Sequence, residues 1–474
     1  KLLETNWREF FENKGADEAA QRFTTDVIAA LEAGVPSRWI TDKVYAHPWL
    51  NDDCREALRA KHAAAGTPDF PVKRDACTTV FRGAHKAYVS KVRDDLKELS
   101  PSSRGWWKLS GSLLTKATGR ENIPPLKRSD NEWAKTAREK ASELAGVFRE
   151  KSQLPEPEVN DYTPLGDPCD AQMPGFLRLR VRQVKKILKA LDETSGTGPD
   201  LLPARVLKRC ADALALPITL LTRKLLQEGR WPECWRTHWV HSIYKKGSKA
   251  EATNYRGVHL TPQLSKVVER AVGTLLLPWL EKHGAYGPHQ YAYGKGKGYK
   301  DVLTINVCSW LLALERGEMV GLYCSDVSGA FDRVSHERLG DKLRRQGLHP
   351  GLLNFLQSWL EDRIAEVVVG GQSSGREPLC DSVFQGTVLG PPLWNTHYAD
   401  ARKATDSLGF TETVFADDYN CFKRFAKGKL PQGLRCEIEL KGAQKELHLW
   451  GKANQVTFDP AKESFHLLHR RLYS

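Results

Sequence analysis

Apolar positions follow two rhythms along this chain, and the change of rhythm divides it. Up to about residue 150 the chain reads as mostly helical and basic. Ala134-Lys135-Thr136-Ala137-Arg138-Glu139-Lys140-Ala141-Ser142-Glu143-Leu144-Ala145 is alanine-rich, and its apolar positions continue at helical spacing to Val147 and Phe148. From about residue 180 helical and strand patterns alternate. Val302, Leu303, Ile305, Val307, Trp310, Leu311 and Leu314 predict a buried helix, and Met319-Val320-Gly321-Leu322-Tyr323-Cys324 behind it reads as a buried strand. Leu339 and Leu343 with a stop at Gly347, then Leu352 to Leu360, predict a helical pair. Ile364 to Val369 and Leu379 to Phe384 bracket Gly370-Gly371 as a hairpin would. Thr413-Val414 and Tyr419-Asn420-Cys421-Phe422 are short β-prone runs, and Leu440, Ala443, Leu447 and Trp450 give one more amphipathic helix. The Pro- and acid-rich stretch from Leu154-Pro155-Glu156-Pro157-Glu158 to Pro168 is the best linker candidate. No internal repeat is visible. The class is α+β, an antiparallel sheet packed on helices.

Between the two β-prone runs stands Phe415-Ala416-Asp417-Asp418. Neighbouring side chains on a strand diverge, so a tight turn is the way to present both acids at one edge. Two carboxylates in a half-apolar hairpin are costly unless a cation neutralises them, and a divalent ion such as Mg2+ does so while leaving positions for substrate phosphates. A solvated Asp-Asp turn is the plain alternative, and what decides is the company. The strand at 319–324 runs into Asp326-Val327-Ser328-Gly329-Ala330-Phe331-Asp332, so a third acid sits at a strand end. Two ions roughly 4 Å apart must share carboxylates of this kind. Between the acid segments lies Phe384-Gln385-Gly386-Thr387-Val388-Leu389-Gly390-Pro391-Pro392-Leu393-Trp394-Asn395, a Gly-rich turn followed by prolines suited to a first helical turn.

Charge and composition fit a partner rich in phosphate. The 474 residues allow two or three domains, 41% are hydrophobic, and 71 basic against 58 acidic side chains leave a formal charge of +13. The ten cysteines show no CxxC spacing, which argues for reduced thiols and against a zinc module. His466 and His469 fall on opposite faces of an expected strand and read as non-ligands. No apolar run approaches a membrane span. Lys1 in place of an initiator methionine reads as a processed or trimmed start.

The three segments resemble motifs A, B and C of reverse transcriptases, specifically those of non-LTR (LINE-like) retrotransposons. Thr197-Gly198-Pro199-Asp200-Leu201-Leu202-Pro203 is similar to that family's first motif. Tyr244-Lys245-Lys246-Gly247, Asn254-Tyr255-Arg256 and Leu264-Ser265-Lys266-Val267-Val268-Glu269-Arg270 resemble its fingers motifs, and Trp450 and Lys462 around Val456-Thr457-Phe458-Asp459-Pro460 resemble motif D. The likeness covers roughly residues 180 to 470. More weakly, Pro48-Trp49-Leu50, Trp106-Trp107-Lys108 and Ile123-Pro124-Pro125-Leu126 are similar to the segment joining endonuclease and polymerase in such elements. Those tryptophans could stack on RNA, but each reads better as a core anchor.

The resemblance implies a right-hand polymerase fold: a helical basic extension over 1–153, a linker over 154–176, fingers over 177–316, and a palm over 317–474 interleaved with the fingers. The thumb is expected to be absent or truncated. It also implies roles. Asp326, Asp417 and Asp418 would bind two Mg2+ ions, with a backbone carbonyl from Val327. Phe331 would press on the nucleotide sugar and exclude a 2′-hydroxyl. Gln385 and Gly386 would line the nucleotide pocket, and Lys245 or Lys246 with Arg256 would hold the triphosphate. Lys462 would stabilise or protonate the pyrophosphate.

The departures count as well. Gln290-Tyr291-Ala292-Tyr293-Gly294-Lys295-Gly296-Lys297-Gly298-Tyr299-Lys300-Asp301 occupies a segment that usually reads near Gln-Phe-Gly-Phe-Arg-x-Gly-Arg-Ser-Thr. Its arginine has become Gly294, although Lys295, Lys297 and Lys300 keep the positive charge for a nucleic-acid backbone. Gly257 replaces the usual proline after Asn-Tyr-Arg. The implied activity is RNA-directed DNA synthesis from dNTPs on an RNA template with a DNA primer, in a nuclear or nucleocytoplasmic setting. The alternative is a retrotransposon-derived, non-catalytic subunit bound to ribosomal RNA in a large ribonucleoprotein, such as a mitochondrial ribosome. No membrane partner is expected.

Overall fold

The computed structural model describes residues 4–35, 49–100, 103, 105–106, 109–110, 123–157, 162, 164–166, 168–175, 178–426 and 431–470. Pro48, Trp107 and Lys108, three of the residues quoted for the endonuclease-linker likeness, lie outside them. Helices Trp7–Glu12 and Ala16–Gly34 bring Trp7, Phe11 and Phe23 together and lie on helix Ala211–Glu228. Their buried side chains join the same core as residues far downstream. Helices Asp52–Ala63 and Phe70–Lys97 pack chiefly on each other, with Trp49 edge-on to Phe81 and His85.

The alanine-rich stretch is helical only from Ala137 to Lys151. Ala134 instead belongs to a two-residue strand, β2 (Trp133–Ala134), paired with β1 (Leu126–Lys127). Alanine spacing set the expectation of an earlier start, but the cap sets the boundary. Thr136 accepts the Glu139 N–H while the Glu139 carboxylate takes the Thr136 N–H, a capping box that fixes Ala137 as the first helical residue.

Among the described residues two sheets make up the rest of the strand structure: β3 (Thr237–Tyr244), β4 (Tyr255–Leu260), β5 (Met319–Asp326), β6 (Arg363–Val369), β7 (Gln372–Ser373), β8 (Glu377–Leu379), β9 (Thr411–Phe415), β10 (Asp418–Phe425) and β11 (Ser464–Leu468). One runs β4-β3-β6-β7 with β8 also on β6; the other runs β11-β5-β10-β9 and is antiparallel throughout. β6 lies parallel to β3, with Thr237 opposite Ile364. Chain from the expected palm therefore completes the sheet begun by the expected fingers. Helix Ala137–Lys151 covers that sheet, and Gly257 makes the contact possible: a Cβ there would lie 2.7 Å from Val240 Cγ1 and 3.4 Å from the Phe148 ring.

Three expectations change. The hairpin around Gly370-Gly371 forms, but its return strand ends at Leu379; Val334 N–H donates to Asp381 O and Val383 N–H to Phe331 O, so 381–383 are tied to the loop after β5 instead. Helix Tyr299–Glu315 exists but is not buried. Val302, Asn306 and Ala313 face the protein, whereas Leu303, Val307, Leu311 and Leu312 are exposed. Its apolar residues spread too far round the helix for one face to hold them all. The described part of the Pro-rich linker is not a loose tether either: Tyr162 bonds to Asn454 and lies beneath the Arg338 guanidinium, and Arg345 donates to Pro164 O.

Helix Gln432–Asn454 covers one face of the β5–β10 sheet. Gly321 permits it, since a Cβ at that position would collide with Cys436 Sγ. Helices His336–Arg345 and Pro350–Leu360 form the expected pair, separated by Gly347 at φ 67°. None of the ten cysteines is bridged. Among the described residues no helix is long and apolar enough to cross a membrane.

Candidate active site

β9 and β10 are joined by Ala416-Asp417, with Phe415 opposite Asp418. A two-residue connection needs positive φ at its first position for a turn of the II′ kind, normally a glycine task. Here Ala416 takes it, at φ 59°. The turn is held from outside. Gln290 Oε1 accepts the Ala416 N–H at 3.0 Å, Gln290 Nε2 donates to Ala416 O at 3.2 Å, and Trp394 Nε1 donates to the same oxygen at 3.1 Å. The backbone at 289 and 291 bonds to Val414 on both sides of its peptide. Sequence reading missed these roles of Gln290 and Trp394, because their partner is backbone. An alanine at the tip of so short a turn was the available signal.

The β5–β10 register sets Asp326 opposite Asp418, which brings the two carboxyl groups into electrostatic contact. Burial, then the charges of Asp417 and Asp326, push Asp418 up to about 6. Burial also raises Asp417, with Asp326 adding to the effect and Lys462 and Lys245 opposing it. Such crowding of acids calls for positive charge. Lys462 supplies it: its Nζ bonds to Asp326 Oδ2 and lies 3.7 Å from Asp459 Oδ2. Burial pulls the Lys462 ammonium down, but the bond to Asp326 and the charges of Asp326, Asp459 and Asp417 together outweigh this and hold it above its ordinary range. Backbone brings it there. Asp459 N–H donates to Asp326 O, Ser328 N–H donates to Thr457 O, and Val327 bridges Phe458.

Among the described residues no trio of His, Cys, Asp or Glu is closed tightly enough to hold an ion as it stands. Asp326 and Asp418 meet, and Asp417 occupies the adjoining turn. The donors are hard carboxylate oxygens, of the kind that suits Mg2+, and the Lys462 ammonium stands in for a cation. The residues present therefore fit such an ion, with side-chain rearrangement needed to close on it.

Two further turns, at 329–332 and 385–388, are held by neighbouring elements. Phe331 sits on a short turn after Gly329 (φ 73°), its ring stacked on Trp394 with centroids 5.9 Å apart at 25°. Gln385 O accepts the His259 N–H at 2.9 Å, and Gly386 (φ 101°) lies so near β4 that a Cβ would be 3.0 Å from His259 O. Fully buried Glu269 accepts the Val388 N–H at 2.9 Å and so holds the end of that turn; burial raises its carboxyl, against the charge of Arg363. Asp332, next to Phe331, is likewise raised by burial against Lys151, Arg333 and Lys245. Neither Glu269 nor Asp332 was singled out from sequence, since each sat inside a motif read for its neighbours.

Lys245 and Lys246 are exposed just past the end of β3, Lys245 within electrostatic reach of Asp417, and Arg256 is exposed on β4. Lys295 and Lys300 are exposed. Lys297 is turned back on its own loop, donating to Pro288 O and Gln290 O over the Tyr291 ring. The structure thus gathers Asp326, Val327, Phe331, Asp417, Asp418 and Lys462, and sets Gln385 and Gly386 against β4.

Residues 243–471 match the model of the family described as reverse transcriptase (RNA-dependent DNA polymerase). The chain is 28% identical over 382 residues to the RNA-directed DNA polymerase from mobile element jockey of Drosophila melanogaster, covering 77% of this chain and 41% of that protein. It is 26% identical over 371 residues to the probable RNA-directed DNA polymerase from transposon X-element of the same organism, covering 76% and 40%. A retrovirus-related Pol polyprotein from type-1 retrotransposable element R2 of Popillia japonica is 28% identical over 242 residues, covering 47% and 32%. The chain spans about two-fifths of the length of the first two relatives.

Proposed function

We propose, from a chain whose residues 243–471 carry a reverse transcriptase domain, that it performs RNA-directed DNA synthesis for a LINE-like element, extending a DNA primer on an RNA template with dNTPs. The reading rests above all on the Asp326–Asp418 pairing, which joins acids from two distant segments at one sheet edge beside Asp417. In this reading the β11-β5-β10-β9 sheet is the palm and the β4-β3-β6-β7 sheet belongs to the fingers. Residues 1–153 would form an N-terminal extension, with 154–176 between it and them.

Asp326, Asp417 and Asp418, with the Val327 carbonyl, would hold two Mg2+ ions. When bound, such ions supply the positive charge that activates a 3′-hydroxyl and neutralises a triphosphate for in-line transfer. This chain's own groups do the remainder. Lys245 or Lys246 with Arg256 grip the triphosphate by charge-assisted bonds. Gln385 and the open backbone of Gly386 line the nucleotide's place. Phe331, backed by Trp394, fills the space a 2′-hydroxyl would need. Lys462 gives up Asp326 and offers its Nζ proton to the leaving pyrophosphate.

The test is Mg2+-dependent primer extension on RNA by the purified chain, with Asp417→Asn alongside. Extension that the substitution abolishes supports the enzyme. Stable co-purification with ribosomal RNA and no extension would favour the scaffold alternative.

A further inference from the structure

We infer that Tyr293 determines sugar specificity by fixing the Phe331 ring from its solvent side, an inference that rests on the polymerase reading above. Tyr293 is 58% exposed, and its backbone sits at φ 60°. A bulky residue avoids that region, and such an outlier persists only where its surroundings impose it. Here they do. Ala292 N–H donates to Gln290 Oε1 at 3.0 Å, Asn395 Nδ2 donates to Ala292 O at 3.0 Å, and Gln290 is itself bonded to Ala416. The loop is anchored on both sides of its peptide immediately before Tyr293.

That anchorage delivers the Tyr293 ring edge-on to Phe331, with centroids 6.2 Å apart and planes at 84°. Phe331 lies flat on Trp394, and Trp394 lies on Tyr398 at 5.1 Å and 21°. The aromatic series therefore starts in solvent at Tyr293 and reaches the core at Tyr398, with Phe331 between a buried backing and an exposed brace. Burial, and then the charge of Asp417, keep the Tyr293 phenol above its ordinary range, consistent with a ring near the carboxylates.

A ring excludes one hydroxyl group only if it cannot swing aside. Trp394 limits Phe331 on the inner side, and Tyr293 limits it on the outer side. Tyr293 is thus a positioning residue acting through Phe331, and the quantity it controls is the preference for deoxynucleotides over ribonucleotides.

The experiment is single-nucleotide incorporation on an RNA template with an annealed DNA primer, comparing kcat/KM for a dNTP and the matching NTP. Tyr293→Gly removes the ring at a φ that glycine adopts freely, so the backbone is not strained. Expected is a fall in the dNTP preference of about tenfold or more in Tyr293→Gly, and its retention in Tyr293→Phe. In a Phe331→Ala background Tyr293→Gly should change the ratio no further. An equal loss of kcat/KM for both nucleotides overturns the inference, as does an additive effect with Phe331→Ala. A wild-type chain that discriminates while Tyr293→Gly discriminates equally well sinks this inference alone. A wild-type chain that incorporates nothing sinks the proposed function, and this inference with it.

Discussion

Gln290 grips Ala416 at both its amide N–H and its carbonyl, with one side-chain amide matching one backbone residue. The grip crosses from a loop expected to touch nucleic acid to the hairpin that carries two of the three acids. Gln290 is buried, so these bonds are not exchanged with water at no cost.

Gln290→Glu keeps the acceptor for the Ala416 N–H but sets a carboxylate oxygen against the Ala416 carbonyl. It should cost about 1–3 kcal/mol of stability, read from denaturant midpoints. It should also raise the Mg2+ concentration needed for half-maximal primer extension. A variant unchanged in both measurements would show that the hairpin holds its shape unaided.

Asp418→Asn takes one charge out of a crowded carboxyl pair. Its expected signature is opposed effects: a higher Tm in chelator than the wild type, together with loss of primer extension. Acids gathered for chemistry at the expense of the fold behave in this way. A lower Tm would mean that the pair stabilises the free protein.

Asp200 caps helix Gln263–Lys282 from another loop, accepting the Leu264 N–H at 3.3 Å as well as the Leu202 N–H. Burial nevertheless pushes it up to about 6. A carboxyl raised above its unfolded value of about 3.9 binds its proton more tightly when folded. Its stabilising contribution is therefore full below about pH 4 and is lost as pH rises through about 6. Asp200→Asn keeps an acceptor and removes the titration. The drop in urea midpoint between about pH 4 and about pH 6.5 should be smaller in the variant than in the wild type.

The same loop yields two changes of opposite sign. Gly198 lies so close to β4's exit that a Cβ would collide with the Thr261 carbonyl, so Gly198→Ala should cost about 1–3 kcal/mol. Leu201 is exposed at φ 53°, where a side chain gains little and strains the backbone. Leu201→Gly should be neutral or stabilising by up to about 1 kcal/mol. Thermal melts of the two variants check both signs.

Legibility followed the range of the interaction. Asp417 and Asp418 stood out because adjacent acids in an apolar hairpin are costly without a cation, and that cost is written locally; Asp326 stood out as a third acid at the end of a buried strand. The antiparallel pairing of β5 with β10 follows from strands whose ends both carry acids. The parallel join of β6 to β3 could not be read, since nothing in Ile364–Val369 names a partner so far back in the chain. The helix over 302–314 was legible as a helix, but its apolar count concealed how few residues touch the sheet. The sequence marks Lys297 as a cation on this loop but not that its ammonium also bonds two carbonyls of the same loop, since backbone partners leave no trace in side-chain pattern. Gln290 stayed hidden because any backbone peptide could have been its target.

The ammonium resting on Asp326 has a consequence for how this protein is handled. The chain carries its own placeholder cation, so stripping divalent ions should leave the hairpin folded instead of springing it open through bare repulsion. On the proposed reading, loading would be an exchange of occupants: an ion at Asp326 would liberate a protonated amine beside the place where a departing anion needs one.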